Sequence, residues 1–171
     1  MKIKFQNSSL VFAQGRTYGP NLFDDYIEYT EGMLVYQKVD AVKGAFVYNN
    51  GSAGAGANTS QICSKVVEVH AGDKFVYTGS VGSTAPRVIF IYGVTDIADG
   101  TNMTTSGNTN TSTCVVLDLT SDNYAATNKE ITITSELIAA AAAQVPSATK
   151  YVIRAWSQDY QTAVLKKIIE P

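Results

Sequence analysis

RVIFIY, residues Arg87 to Tyr92, is apolar in every position after the first. It is short and rich in β-branched and aromatic side chains, which predicts a strand buried on both faces. Downstream, YVIRAW from Tyr151 to Trp156 repeats the type. Period-two alternation puts Tyr151, Ile153 and Ala155 on one face, the natural core set, and Val152, Arg154 and Trp156 on the other. An outward Arg154–Trp156 pair would stack on a sugar or on a partner subunit. The plainer alternative is an Arg stem covering the indole on an ordinary surface.

Five more strands surround these two. Val67 and Val69 lie before the turn Ala71-Gly72-Asp73, and Lys74 to Thr78 follows with Phe75 and Tyr77 on one face; the pattern predicts a β-hairpin. Thr113–Leu119, Glu130–Thr134 and Thr162–Ile169 complete the set. One helix interrupts them. Thr134 or Ser135 can cap it, Glu136 suits its positive end, and Pro146 ends it. Leu137, Ile138, Ala141 and Val145 share its apolar face. The expected fold is mostly β: a jelly-roll-like antiparallel β-sandwich over residues 61–171, with one short Ala-rich helix.

Residues 1–50 have a different texture. They hold Tyr18, Tyr26, Tyr29, Tyr36 and Tyr48, with acids at Asp24, Asp25, Glu28 and Glu31. A short acidic helix is expected over 21–31 and a strand over 33–39. The segment reads as a docking or oligomerisation arm, with Tyr18, Phe23, Tyr26, Tyr29 and Tyr36 as its contact residues. GSAGAGANTS, residues 51–60, reads as a flexible linker. It lacks the glycine spacing of a phosphate cradle.

The chain has 171 residues, 45% hydrophobic and only 16% charged, with a net charge of −2. No basic stripe forms, so nucleic-acid binding has no electrostatic footprint. The Lys166-Lys167 pair reads as the solvated face of a terminal strand. No apolar run is long enough to span a bilayer, and Gln6 to Ser9 break any signal-peptide core. The two cysteines, Cys63 and Cys114, fit reduced, buried thiols made in a cytoplasm, although spacing alone leaves a single bridge open.

Catalytic sets are missing from the sequence. His70 is the only histidine and flanks a turn. There is no Gly-x-Ser-x-Gly elbow and no second metal ligand at cysteine spacing. The carboxylate pairs Asp24-Asp25 and Asp96/Asp99 lie outside any groove of interleaved tryptophans, as a sugar-cleaving enzyme would need. Asp96, Asp99 and Asn102 loosely resemble a cation loop, without the alternating ligands and closing Glu of an EF-hand. The expectation is a non-enzyme with no cofactor, structural Ca²⁺ in that loop being the one candidate.

The order of SKVVEVHAGDKFVYTG, RVIFIYGVTDIADG and QVPSATKYVIRAWS resembles the galactose-binding-like jelly rolls of tailed-phage tail, fibre and capsid-attached proteins. The matching residues are Val69, Gly72 and Tyr77; Tyr92 and Asp96; and Pro146, Ala148, Tyr151, Ile153 and Arg154. The opening MKIKFQNSSLVF is similar to the start of virion proteins from phages of gut bacteria. The likeness spans residues 60–171. It departs at the alanine-rich helix and in having Trp156 as the sole tryptophan. It implies a virion structural protein made in the bacterial host cytoplasm: a head fibre, capsid decoration or tail-associated subunit. The implied partners are other virion proteins and copies of itself, a trimer first. The alternative implied function is a carbohydrate-binding module that attaches to surface glycans.

Overall fold

A computed structural model describes residues 15–45, 59–80, 87–98, 115–118 and 125–171. It is mostly β, with two sheets and, among the described residues, a single short α-helix. The strands are β1 (Thr17–Tyr18), β2 (Ile27–Glu28), β3 (Val42–Lys43), β4 (Ile62–Cys63), β5 (Val67–Glu68), β6 (Lys74–Ser80), β7 (Arg87–Val94), β8 (Val115–Asp118), β9 (Ala125–Thr132), β10 (Lys150–Ser157) and β11 (Val164–Ile169). The smaller sheet runs β1-β11-β6-β9, antiparallel throughout. The larger runs β2-β3-β4-β10-β7-β8, with β5 also paired to β10.

β7 and β10, the two strands that decide the fold, lie side by side, with Val152 opposite Tyr92 and Arg154 opposite Phe90. Ile89, Ile91, Tyr92 and Val94 of β7 are buried, as an apolar central strand requires. β10 is buried at every position from Val152 to Ser157. Gly79 of β6 lies against Ser157, so the small sheet meets the β10 face that carries Ile153, Ala155 and Ser157. The other face, expected to be solvated, is covered at Arg154 by residues 35–40, while residues 27–28 and 42–43 of the same stretch extend the sheet sideways as β2 and β3. Leu22, Phe23, Val35, Val42 and Ala45 join Trp156 and Val152 in one core cluster. The stretch expected to be a docking arm therefore supplies a wall of the same core.

Local structure in that wall also departs from expectation. Asn21–Glu31 forms a turn and then β2, not an acidic helix. The Asn21 Oδ1 accepts from the main-chain N–H of both Phe23 and Leu165, and the main chain of Leu22 donates to Leu165 O at 2.8 Å. These tertiary bonds hold the segment extended and override its weak helical pattern. The expected strand at 33–39 is instead a single 3-10 turn, Val35–Gln37.

The turn at residues 70–73 is real but joins no hairpin. His70 N–H donates to Asp73 Oδ2 at 2.9 Å, Asp73 N–H returns to His70 O at 3.0 Å, and Gly72 takes φ 97. β5, before it, pairs with β10, whereas β6, after it, pairs with β11 and β9. The chain thus turns a corner between sheets. Alternation within each strand is the same for a corner and for a hairpin, so the pattern could not separate them.

The helix α1 spans Ser135–Gln144, capped by Thr134, whose Oγ1 accepts from Leu137 N–H at 3.1 Å. Ala141 is its fully buried residue, with Leu137 and Ile138 packed half-buried on the core. Its exit runs over β7, where Gly93 leaves room: a Cβ there would sit 2.5 Å from Ala148 Cβ.

Candidate functional site

Arg154 is fully buried, at 0% exposure. Its Nε donates to Ser64 O at 2.8 Å, one terminal nitrogen to Val35 O at 3.0 Å and the other to Asp40 O at 2.7 Å. A planar guanidinium suits this, because its donors are set in a rigid fork. The Ser64 carbonyl is turned toward Arg154 by a local break in strand pairing. Ala155 N–H donates to the Ser64 Oγ at 2.8 Å, and Ser64 N–H donates to Ala155 O at 2.9 Å. The hydroxyl thus stands in for the main-chain carbonyl between β4 and β5. Arg154 ties residues 35–40 and the β4–β5 junction to the central strand.

Trp156 is also buried, at 2% exposure, and its carbonyl accepts from the Tyr77 hydroxyl at 2.7 Å. That bond bridges the two sheets, and burial pushes the Tyr77 pKa up. Neither Arg154 nor Trp156 offers a surface to a sugar or a subunit. The face of β10 that carries Arg154 is not wet, because its cover comes from residues 35–40, distant in sequence.

The remaining expected site residues scatter. Phe23 is buried and Tyr29 half-buried against the core. Tyr18 and Tyr26 stay exposed, at 51% and 38%. The Tyr36 side chain lies outside the described residues. Tyr26 meets Tyr160 edge-on, with centroids 5.9 Å apart, and Lys43 Nζ sits 4.7 Å from the Tyr160 centroid. Asp96 is exposed and its Oδ1 accepts from Ile97 N–H at 2.8 Å, whereas Asp99 and Asn102 lie outside the described residues. Among the described residues no group of three His, Cys, Asp or Glu converges as a metal site. Cys63 is buried, its thiol pointing to Ala45 O at 3.4 Å, and Cys114 is outside the described residues. No helix among the described residues is long and apolar enough to cross a membrane.

A groove that the sequence did not announce crosses the outer face of the small sheet. It is about 460 Å³ and is lined by Tyr18, Val76, Asn128, Glu130, Val164 and Lys166. Register explains the set: Lys166 stands opposite Val76, and Val76 opposite Glu130, in one row across β11, β6 and β9. Val164, opposite Thr78, begins the next row. An ion-pair chain walls the groove. Lys74 Nζ meets Glu170 at 2.9 Å, Arg16 Nε meets Glu170 at 3.4 Å, and the two terminal nitrogens of Arg16 donate to the two Glu130 oxygens at 2.7 and 3.0 Å. The hydrogen bond from Arg16 holds the Glu130 carboxyl below the usual carboxylate range, and that from Lys74 does the same for Glu170.

A bulge forms the opposite side. Between the pairs Tyr77–Lys129 and Gly79–Ala126, β9 sets Thr127 and Asn128 against Thr78 alone. Asn128 takes φ 50, its N–H donates to Thr78 Oγ1 at 2.9 Å, and its side-chain oxygen lies 3.4 Å from the same hydroxyl. An Asn inside an otherwise strand-like run was the one sequence signal for this irregularity. Comparison of the chain with protein-family models, with curated proteins and with solved structures finds no match in any of the three.

Proposed function

We propose that the chain is a non-enzymatic structural subunit of a phage particle, a head fibre, capsid decoration or tail-associated protein, that holds out a rigid β-sandwich and assembles with copies of itself. The Arg154 clamp carries the reading. The buried guanidinium grips main-chain oxygens 90, 114 and 119 residues away in sequence. A polar core group used wholly to fix the backbone suits a part that must keep its shape. The sequence likeness to phage jelly rolls points the same way.

Docking falls to the residues that stay exposed. Of the expected contact tyrosines, Tyr26 stands out with Tyr160 and Lys43 beside it, and exposed aromatic clusters are the residue type that anchors interfaces. Light scattering on the purified chain tests the proposal. A species of three times 18.3 kDa, reduced in mass by Tyr26→Ala, is expected. A monomer that persists at high micromolar concentration and adds to no particle would overturn it.

A further inference from the structure

Residues 15–20 lie along the edge of the small sheet and put nothing into its core. Thr17, Tyr18 and Pro20 are exposed, and Gly15, Arg16 and Gly19 are half-buried. The residues that follow are different: Leu22 and Phe23 enter the core, and the Asn21 side chain bonds Ala163 O and the Leu165 N–H. Pro20, which has no N–H to give the sheet, marks the joint between the anchored and the unanchored part. What holds residues 15–20 is polar. Thr17 and Tyr18 pair with Ile169 and Ile168, and Gly19 N–H donates to Lys167 O at 2.9 Å. Over these bonds lies the ion-pair chain. Arg16, at one edge of the sheet, grips Glu130 on the strand at the other edge with both terminal nitrogens, and Glu170 joins Arg16 to Lys74.

A segment with no buried side chain and few main-chain bonds sits at the low end of local stability. A single exposed ion pair adds little, but a bidentate Arg–carboxylate contact within a network is the geometry that counts. Solvent controls that contact. Salt at about 1 M shortens the screening length from about 8 Å to about 3 Å. Acid protonates Glu130 and Glu170, whose carboxyls the same contacts hold low, so its effect begins below the ordinary 4.5. The other charged or titratable side chains on this face are Tyr18 beside Arg16, Lys74 on β6 and Lys166 on β11. None of them is a carboxylate, so acid acts here through Glu130 and Glu170. We propose that residues 15–20 are a strap, closed by Arg16, that salt or acid releases as a unit while the sandwich stays folded. Release takes down one wall of the groove and bares the edge of β11 beside Ile169, which is half-exposed even under the closed strap. A bared edge of this kind pairs with extended chain. The strap does not depend on the subunit's place in a particle.

Amide exchange, read as protection factors, and tryptic cleavage test this. The Gly19 amide should open far more readily than the amides of Leu22 and of β6. Raising salt to about 1 M, or lowering pH from about 7 to about 3, should cut its protection several-fold. Arg16→Gln should start at the reduced value and lose little more in salt. Trypsin cuts between Arg16 and Thr17 only when the strap is open, so Glu130→Gln should speed the appearance of the fragment beginning at Thr17 several-fold. Gly19 protected as strongly as Leu22 and β6, protection indifferent to salt and acid, the same salt loss in Arg16→Gln, or a cleavage rate unchanged by Glu130→Gln would each overturn the strap.

Discussion

Arg154→Met isolates the clamp. The methionine keeps much of the stem volume and removes all three donations. Val35 O still accepts from Lys38 N–H at 3.0 Å, so the loss falls mainly on Ser64 O and Asp40 O. Each buried carbonyl left without its donor costs about 1–3 kcal/mol. That is about 2–6 kcal/mol for the two; the variant also no longer buries a charge, which offsets a minor part of it because the guanidinium is already solvated by three carbonyl oxygens. The net destabilisation expected is about 2–4 kcal/mol, a large share of the roughly 5–15 kcal/mol that holds a domain. Urea unfolding followed by the fluorescence of Trp156, the chain's only tryptophan, reads it directly. Arg154→Lys should fall between, since an ammonium cannot span three carbonyls with a planar fork. A loss under about 1 kcal/mol for Arg154→Met, with the emission maximum unmoved, would refute the clamp.

Other consequences follow from the same contacts. Tyr77→Phe removes the bond to Trp156 O and should cost about 1–3 kcal/mol in urea unfolding. Because burial raises the Tyr77 pKa above its ordinary 10.0, its neutral form stabilises the wild type fully below that pH. Stability should then fall as pH rises past 10, and Tyr77→Phe should flatten that limb. Glu130 and Glu170 have lowered pKa values, so their contribution is full above the ordinary 4.5 and is lost as pH falls through the depressed values. Arg16→Ala should shrink the acid-side loss in a pH series of urea midpoints. Gly93→Ala drives a methyl into Ala148 and should lower stability by about 1–3 kcal/mol, seen as a reduced melting temperature. Thr134→Ala deletes the cap of α1 and should cost about 1 kcal/mol by the same measure.

The parts of the fold readable from sequence are those whose signals are local. RVIFIY announced a doubly buried strand because every position after Arg87 is apolar. The Thr134 cap and Pro146 bracketed α1 within a residue or two. What escaped is long-range. Nothing near Arg154 tells that Val35 and Asp40 will lie over it, and alternation cannot say whether a second face is wet or covered. Residues 21–31 carry a faint helical period, yet Asn21 bonds to Leu165 and the segment stays extended. The groove was invisible for a related reason: Tyr18, Glu130 and Lys166 come from three strands, and only register brings them together.

Native-state amide exchange on the unmodified chain tests the central claim, that residues 22–45 are a wall of the sandwich rather than an arm attached to it. The amides of Ile27, Tyr29 and Val66 donate to Ala41, Lys43 and Val39. They should open with the same free energy as the amides pairing β6 to β11, and both sets should weaken together in Arg154→Met. Exchange of the Ile27 and Tyr29 amides orders of magnitude faster than that of β6, with the rest of the sandwich still protected, would contradict it.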